Sequence, residues 1–216
     1  MFITELQILT GNIQETEKFY SEVLGLFIVH KSSISISFLA GTSKLIFIET
    51  KEQDPTYHFA FNIPCNKLNE AYNFISAQTE ILPIKGTGNI ADFKDWNAKA
   101  FYFHDNNNNI LEFIARFDLG NETVEPFSGN GILSISEIGL VVNDVTSYCN
   151  QLIEKNKLTY FSKQPPSDNF TVTGDDNGLL IVVPNGRSWY PTNKLSARNF
   201  TKVKIDNDGN IIDLLL

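Results

Sequence analysis

The sequence predicts an α+β fold built from repeated modules, each made of a strand, a helix and several further strands. Three observations support this prediction. The same order of elements begins near residues 2, 57 and 133, at a period of roughly 50–60 residues. Short segments alternate apolar and polar residues as half-buried strands do, whereas others carry apolar residues at helical spacing. Turns rich in glycine and asparagine separate these segments.

The first module begins with a strand over residues 2–9, which leads into a helix over residues 13–24. The helix carries a buried stripe three or four residues apart, formed by Thr16, Phe19, Tyr20, Val23 and Leu24. Gly25 follows as a helix stop. Three further strands are predicted, over 26–31, 33–39 and 44–49.

The second and third modules repeat this order. The second contains strands over 57–63, 99–104 and 110–115 and a helix with the stripe Leu68, Ala71, Tyr72 and Ile75. The third contains strands over 133–142 and near 158–163, 169–173 and 178–183, and a helix with the stripe Val145, Tyr148, Cys149, Leu152 and Ile153. Two last strands, over 199–205 and 211–215, form a hairpin around Asn207-Asp208-Gly209.

A change of composition divides the chain. Residues 117–131 are rich in glycine, asparagine and acidic residues, which is typical of a linker. We therefore expect a complete two-module domain over 1–116 and a shorter second domain over 132–216, which lacks a full fourth module.

Composition and charge narrow the range of partners. The 216 residues are 42% hydrophobic and 19% charged, as in ordinary globular proteins. The net charge of −8 argues against nucleic acid, because phosphate binding needs a basic surface. No segment resembles a secretory signal or a membrane span. Only Cys65 and Cys149 are present, which favours reduced thiols and a cytoplasmic location over a disulfide framework.

Three strands place an ionisable group opposite their bulkiest apolar residues. Strand faces alternate with a period of two, so Glu5 lies opposite Leu6, His58 opposite Phe59, and Glu112 opposite Leu111. Such faces can simply meet water, as one side of an antiparallel sheet often does. They can also line a site.

Six segments carry a resemblance to a known family: Glu5–Ile8, Phe19-Tyr20, Val23–Leu26, Tyr57–Phe61, Phe101–Asp105 and Asn109–Glu112. In order and spacing they resemble the vicinal-oxygen-chelate superfamily of glyoxalases, bleomycin resistance proteins and extradiol dioxygenases. The resemblance covers 1–116 and, more weakly, 132–183. It implies that paired βαβββ modules form cup-shaped mixed sheets around a small-molecule site.

Carried over residue by residue, the resemblance implies metal ligands at Glu5, His58 and Glu112, with Glu5 or Glu112 also able to move a proton. One imidazole and two carboxylates suit a divalent Mn, Zn, Ni or Fe ion. The chain departs from the family at Glu5, where metal-dependent members often have histidine. A fourth ligand would fall near Ile46–Ile48, and the neighbouring Glu49 is an alternative if the register shifts by one residue.

The second domain resembles a degenerate copy of the first. Glu137–Val142 repeats the opening signature, but all three histidines precede residue 117, so we expect the site to lie wholly within 1–116 and Glu137 to lack partners. In the distinctive segment Gly186–Thr192, Arg187 could reach an anionic substrate, while Trp189 could equally plug a core. His104 is a candidate acid or base beside the site, and Tyr102 a candidate lining residue.

Two functions follow from the resemblance. The first is a metal-dependent lyase or isomerase that chelates neighbouring oxygens of a small substrate, with extradiol-type dioxygenase chemistry as a variant. The second is a metal-free binding protein of the bleomycin-resistance type, consistent with an aromatic-lined cup supplied by the 17 phenylalanines. A homodimer is an expected assembly.

Overall fold

The computed structural model describes residues 1–51, 54–86 and 88–216. The strands are β1 (Phe2–Thr10), β2 (Phe27–Lys31), β3 (Ser35–Ala40), β4 (Ser43–Glu49), β5 (His58–Ile63), β6 (Ala91–Phe93), β7 (Ala98–His104), β8 (Ile110–Arg116), β9 (Ser134–Val142), β10 (Thr171–Asp175), β11 (Gly178–Pro184), β12 (Lys202–Asn207) and β13 (Asn210–Leu215). The helices are α1 (Ile13–Lys18), which continues into one π-helical turn over Phe19–Val23, α2 (Leu68–Ser76) and α3 (Val145–Asn156). The predicted α+β class with a mixed sheet is confirmed.

Local chemistry explains where the helices begin. The Asn12 side chain accepts a hydrogen bond from the backbone N–H of Glu15 and caps α1, and Asp144 caps α3 through the N–H of Ser147. Both caps satisfy a donor that the first helical turn leaves free. The helix α3 ends at Lys157, which adopts a left-handed conformation. The two caps hold each helix directly after the first strand of its module.

Hydrogen bonding divides the strands into two groups. The outer sheet has the order β2-β3-β4-β1-β12-β13, in which β1 pairs parallel with β4 and antiparallel with β12. The inner sheet has the order β6-β7-β8-β5-β9-β11-β10, in which β5 pairs parallel with β8 and antiparallel with β9. The two sheets join where Ile3 of β1 pairs with Ile135 of β9.

This order corrects the expected partnership of modules. The first two modules do not pair with each other, because β9 lies between β1 and β5 in the strand order. The second module pairs with the third, and the first pairs with the C-terminal hairpin. Strands of the predicted domain 1–116 thus form hydrogen bonds with strands of the predicted domain 132–216. The boundary between the two domains stays a prediction.

The predicted linker 117–131 is docked onto the protein. It contains two short 3₁₀ turns, over Phe117–Leu119 and Gly129–Gly131. The Asn121 side chain accepts a hydrogen bond from the N–H of Cys65, and the Phe127 ring lies 5.9 Å from the ring of Phe113. The segment is therefore anchored to the second module at several points along its length.

Two further differences concern short strands. Residues 158–163 do not form the predicted strand, although Tyr160 makes an isolated bridge to Thr173. The following Pro165 and Pro166 have no N–H to donate, which limits a ladder at this edge. The three-residue strand β6 was not predicted, because it is too short to show a period.

The inner sheet has two different faces. Phe59, Phe61 and Phe113 belong to the main hydrophobic core on one face. Ala60 and Tyr102 belong to a second cluster on the other face. The alternation read along the second module therefore predicted the correct side for its apolar residues. His58 lies on the second face.

Cys65 and Cys149 are both buried free thiols. Over 1–51, 54–86 and 88–216, no helix has the length and apolar character needed to cross a bilayer.

Candidate metal centre and cavity

Three neighbouring strands bring His58, Glu112 and Glu137 together. On β5, Ala60 pairs with Glu112 of β8 on one side and with Glu137 of β9 on the other. His58 lies two residues before Ala60 and so points to the same face. One ligating atom from each of the three residues lies within 4.8 Å of the others, and all three residues are buried. The small Ala60 side chain leaves the space between them open.

A backbone contact orients the His58 ring. Its Nδ1 lies 3.1 Å from the carbonyl oxygen of Ile110, to which an N–H at that position donates. This fixes the tautomer that leaves the Nε2 lone pair directed towards Glu112, whose Oε2 lies 3.6 Å away. Burial lowers the pKa of His58 to about 4, with a smaller contribution from the charge of Arg187. The ring is therefore neutral at physiological pH, as a metal ligand must be.

The two carboxyl groups are buried side by side. Burial, and then the charge of Glu137, raise the pKa of Glu112 well above its ordinary value, and Tyr102 hydrogen-bonds to the Glu112 carboxylate. Burial also raises the pKa of Glu137, while the nearby Arg116 opposes that rise. A group that neutralises negative charge between them would relieve both costs.

Arg116 lies behind Glu137 and is fully buried. It forms an ion pair with Oε1 of Glu137, its Nε donates to Oγ of Ser136 at 3.2 Å, and Nη1 lies 3.5 Å from Oδ1 of Asp176. Its guanidinium also lies over the Trp96 ring, 5.6 Å from the ring centre. Arg116 thereby holds Glu137 by one oxygen.

The donor set fits a divalent cation. The carboxyl groups of Glu112 and Glu137 offer oxygen donors in a buried space, and neutral His58 adds a nitrogen donor. One nitrogen and two oxygens suit borderline divalent ions such as Mn²⁺, Zn²⁺ or Fe²⁺. His58, Glu112 and Glu137 are the residues that would hold such an ion.

This cluster contains two of the three predicted ligands, His58 and Glu112, but not Glu5, and metal binding by any of them stays a prediction. Glu5 lies on β1 in the outer sheet, where its Oε2 is 3.6 Å from Nζ of Lys44 and its backbone neighbour on β12 is Lys204. Glu137, which the sequence left without partners, occupies the third position instead. The expectation of a site wholly within 1–116 is corrected with it, since β5 takes β9 as its partner and not β1.

The other candidate residues lie outside the cluster. Glu49 accepts a hydrogen bond from the N–H of Ile13 at the start of α1. His104 contacts the carbonyl oxygen of Asn109 through Nδ1. His30 is exposed on β2. Tyr102 does line the cavity above the cluster, as its position on β7 suggested.

The cluster opens into a cavity of about 560 Å³. Its wall includes six aromatic residues, Phe93, Trp96, Tyr102, Phe170, Trp189 and Tyr190, together with the polar or charged residues Asp92, Lys94, Asp95, Gln164 and Arg187. The Trp189 ring is buried 5.2 Å from the His58 ring, and Arg187 also lines the cavity. Both interpretations of the segment Gly186–Thr192 therefore describe one structure, a packed tryptophan beside a cavity-facing arginine.

Gly139 on β9 provides the room for this tryptophan. A Cβ at that position would lie 2.5 Å from Cη2 of Trp189 and 3.2 Å from the carbonyl oxygen of His58. The strand that supplies Glu137 therefore also supplies the gap into which the loop aromatic packs.

Comparison with known proteins agrees with this architecture. Residues 3–170 match the family model described as the Glyoxalase/Bleomycin resistance protein/Dioxygenase superfamily. A Bacillus subtilis protein proposed to be a dioxygenase shares 15% identity at a TM-score of 0.62, with 98% of this chain and 68% of that chain covered. A mutant of glyoxalase I from Zea mays shares 15% identity at a TM-score of 0.56, covering 99% and 92% respectively. These likenesses concern the fold, and no curated protein sequence matches the chain.

Proposed function

Because the chain belongs to the glyoxalase/bleomycin resistance protein/dioxygenase superfamily, we propose that it is a divalent-metal-dependent enzyme of the lyase or isomerase type. The observation that carries this proposal is the buried His58, Glu112 and Glu137 cluster at the base of the cavity. A bound ion would act as a Lewis acid towards two neighbouring oxygens of a small substrate.

The chain's own residues supply the remaining chemistry. Glu112 lies in the cavity wall and hydrogen-bonds to Tyr102. A cation in the cluster would favour the ionised form of Glu112, and this carboxylate could then accept a proton from a substrate carbon and return it to a neighbouring position. Arg116 pairs with Glu137 and holds it in place, so Glu137 would serve as a fixed metal ligand, whereas Glu112 would accept the proton. Aromatic side chains line the cavity in which the proton would move.

The donor set favours this chemistry over oxygen activation. A ferrous ring-cleaving site is expected to contain two histidines and one carboxylate, whereas this cluster contains one histidine and two carboxylates. Of the reactions known in the superfamily, we therefore propose proton transfer for this chain in preference to the dioxygenase reaction.

Metal titration of single variants tests the proposal. We expect calorimetry to detect one Mn²⁺ site in the purified full chain. Glu112→Gln, Glu137→Gln and His58→Ala should each weaken it at least about a hundredfold, since loss of an outer-shell partner alone costs about 10–100-fold. Glu5→Gln is the matched control and should bind Mn²⁺ within about twofold of the unmodified protein. Unchanged binding by Glu137→Gln would refute the assignment.

One observation favours a second candidate, a metal-free binding protein. Glu137 already has a cationic partner in Arg116, which supplies part of the charge compensation that an ion would give. If metal-free protein bound planar ligands in the cavity and showed no affinity for Mn²⁺, Zn²⁺ or Ni²⁺, sequestration would replace catalysis as the proposed function.

A further inference from the structure

We propose that the cavity takes a small planar or aromatic carboxylate, and that Arg187 binds its anionic group. The inference rests on the proposed function in one respect, that the cavity is the substrate site. It adds the class of substrate and a residue that selects it.

Arg187 projects from a well-fixed loop. Its N–H donates to Oγ of Ser196, and its carbonyl oxygen accepts from the N–H of Ser196 at 2.7 Å. The N–H of Trp189 donates to the carbonyl oxygen of Lys194 at 2.8 Å, which closes the same loop again. The loop therefore presents Arg187 to the cavity in a defined position.

The guanidinium lies over an aromatic ring. Its centre lies 4.8 Å from the centre of the Phe170 ring, and Nη1 donates to the carbonyl oxygen of Ser188 at 3.2 Å. A guanidinium has five N–H donors in one plane. The guanidinium N–H groups that are not used in these contacts can donate the paired hydrogen bonds that a carboxylate accepts.

The positive charge of Arg187 has no carboxylate partner among the residues that the structure describes. Asp92 and Asp95 line the same cavity but are exposed, and neither forms an ion pair with Arg187. The Arg187 side chain is partly buried, and this burial lowers the pKa of its guanidinium. A half-buried cation without a counter-ion is best completed by an anionic ligand.

The rest of the wall sets the shape of the ligand. Trp189 follows Arg187 by two residues in the loop and contacts the His58 ring. Tyr190 lies 5.5 Å from Tyr102 and 6.2 Å from Phe93, measured between ring centres. These rings line the cavity together with the arginine and the candidate metal ligands, and aromatic surfaces of this kind favour a planar ligand.

The charges also set the direction of binding. Arg187 places a positive charge on the cavity wall, whereas the cluster contributes the carboxyl groups of Glu112 and Glu137, the second of which already pairs with Arg116. A carboxylate ligand is therefore attracted to Arg187 rather than to the carboxyl groups of the cluster. The opposite end of the molecule, which carries neighbouring oxygens, then faces His58.

Two probes test this assignment in the Mn²⁺-supplemented full chain: 3,4-dihydroxybenzoate and catechol, which differ only by the carboxylate. We expect 3,4-dihydroxybenzoate to bind about 10–100-fold more tightly, the range for a hydrogen-bonded charge. In Arg187→Gln this preference should fall below about threefold while catechol affinity stays unchanged. Arg187→Lys should retain part of it. Lys94→Gln, which alters another cavity-lining cation, is the control and should keep the full preference.

The outcomes separate the two proposals. Equal binding of the probes by the unmodified protein, no binding of either at millimolar concentration, or a preference that survives in Arg187→Gln would each overturn the role of Arg187. Mn²⁺ titration of Arg187→Gln should match that of the unmodified protein, which also shows that the variant is folded. If an Arg187-dependent preference appeared in protein that binds no metal, the metalloenzyme proposal would fail and this one would stand.

Discussion

Replacing Arg116 with methionine should cost much of the stability of the fold. The guanidinium is fully buried, paired with Glu137 and hydrogen-bonded to Ser136. Methionine keeps an apolar stem but leaves the Glu137 carboxylate buried without a cation. Breaking a buried ion pair from one side typically costs about 3–5 kcal/mol. Asp176 adds little to this loss, because Lys163 remains 2.6 Å from its other oxygen.

The change is measured by urea unfolding followed by circular dichroism. A loss of about 3–5 kcal/mol corresponds to a fall in Tm of roughly 6–20 °C for a chain of this size. The double variant Arg116→Met with Glu137→Gln removes both charges, so we expect it to recover about 2 kcal/mol relative to Arg116→Met.

An exposed ion pair provides the control. Lys31 pairs with Glu17, but the Lys31 side chain is 46% exposed, so Lys31→Met should change the free energy of unfolding by less than about 1 kcal/mol. A loss below about 1 kcal/mol for Arg116→Met, or no recovery in the double variant, would show that Glu137 is not held as described.

Three further predictions concern other parts of the molecule. Gly139→Val should push Trp189 out of its packed position and shift the tryptophan emission spectrum. It should also lower the free energy of unfolding, measured in urea, by about 1–3 kcal/mol. An unchanged emission spectrum would contradict the packing of Trp189 against Gly139. Asp105→Ala should lower the free energy of unfolding by about 2–4 kcal/mol. The reason is that the buried Asp105 carboxylate accepts hydrogen bonds from the Tyr20 hydroxyl and from several N–H groups of its own turn. A free energy of unfolding unchanged within experimental error would refute that role. Burial raises the pKa of Cys149 to about 11. Alkylation of this thiol by iodoacetamide should therefore be slow at neutral pH and should accelerate as the pH approaches that value. Rapid labelling of Cys149 in folded protein at neutral pH would contradict this prediction.

The chemistry of individual strands could be predicted from the sequence. Alternation placed His58 opposite Phe59, and Glu112 opposite Leu111, because burial follows the pleat of a single strand. The structure has these residues in those positions, with His58 and Glu112 in contact. This part of the site depends only on local periodicity and on the pairing of β5 with β8 inside one module.

The partner of β5 could not be predicted in the same way. The strands β1 and β9 each have a glutamate as their fourth residue, followed by an apolar residue, so either could have faced β5. Which of them does so depends on how whole modules pack. The C-terminal hairpin takes the place beside β1, and the strand with Glu137 is then the one beside β5.

Arg116 is a feature of the sequence that indicates a buried carboxylate partner and that the predicted ligand set did not use. An arginine at the end of the apolar segment Ile110–Arg116 has to find a carboxylate once it is buried, and the segment offers only Glu112 of its own strand. Its burial therefore predicts a carboxylate on a strand of another module, for which Glu5 and Glu137 are both candidates. The loop that contains Arg187 and Trp189 has no periodicity, so its place over the cavity could be known only from the tertiary structure.

The strand order has a consequence for how the chain acquires its shape. Phe59 on β5 and Ile138 on β9 are joined across about eighty residues, whereas Ile3 on β1 and Ile205 on β12 are joined across about two hundred. We expect the cavity-bearing half to assemble first, since shorter loops close at lower entropic cost. One edge of β1 stays unpaired until the hairpin of β12 and β13, about two hundred residues further along the chain, packs beside it. During that interval this edge is the place where a nascent chain is most exposed to pairing with a neighbour.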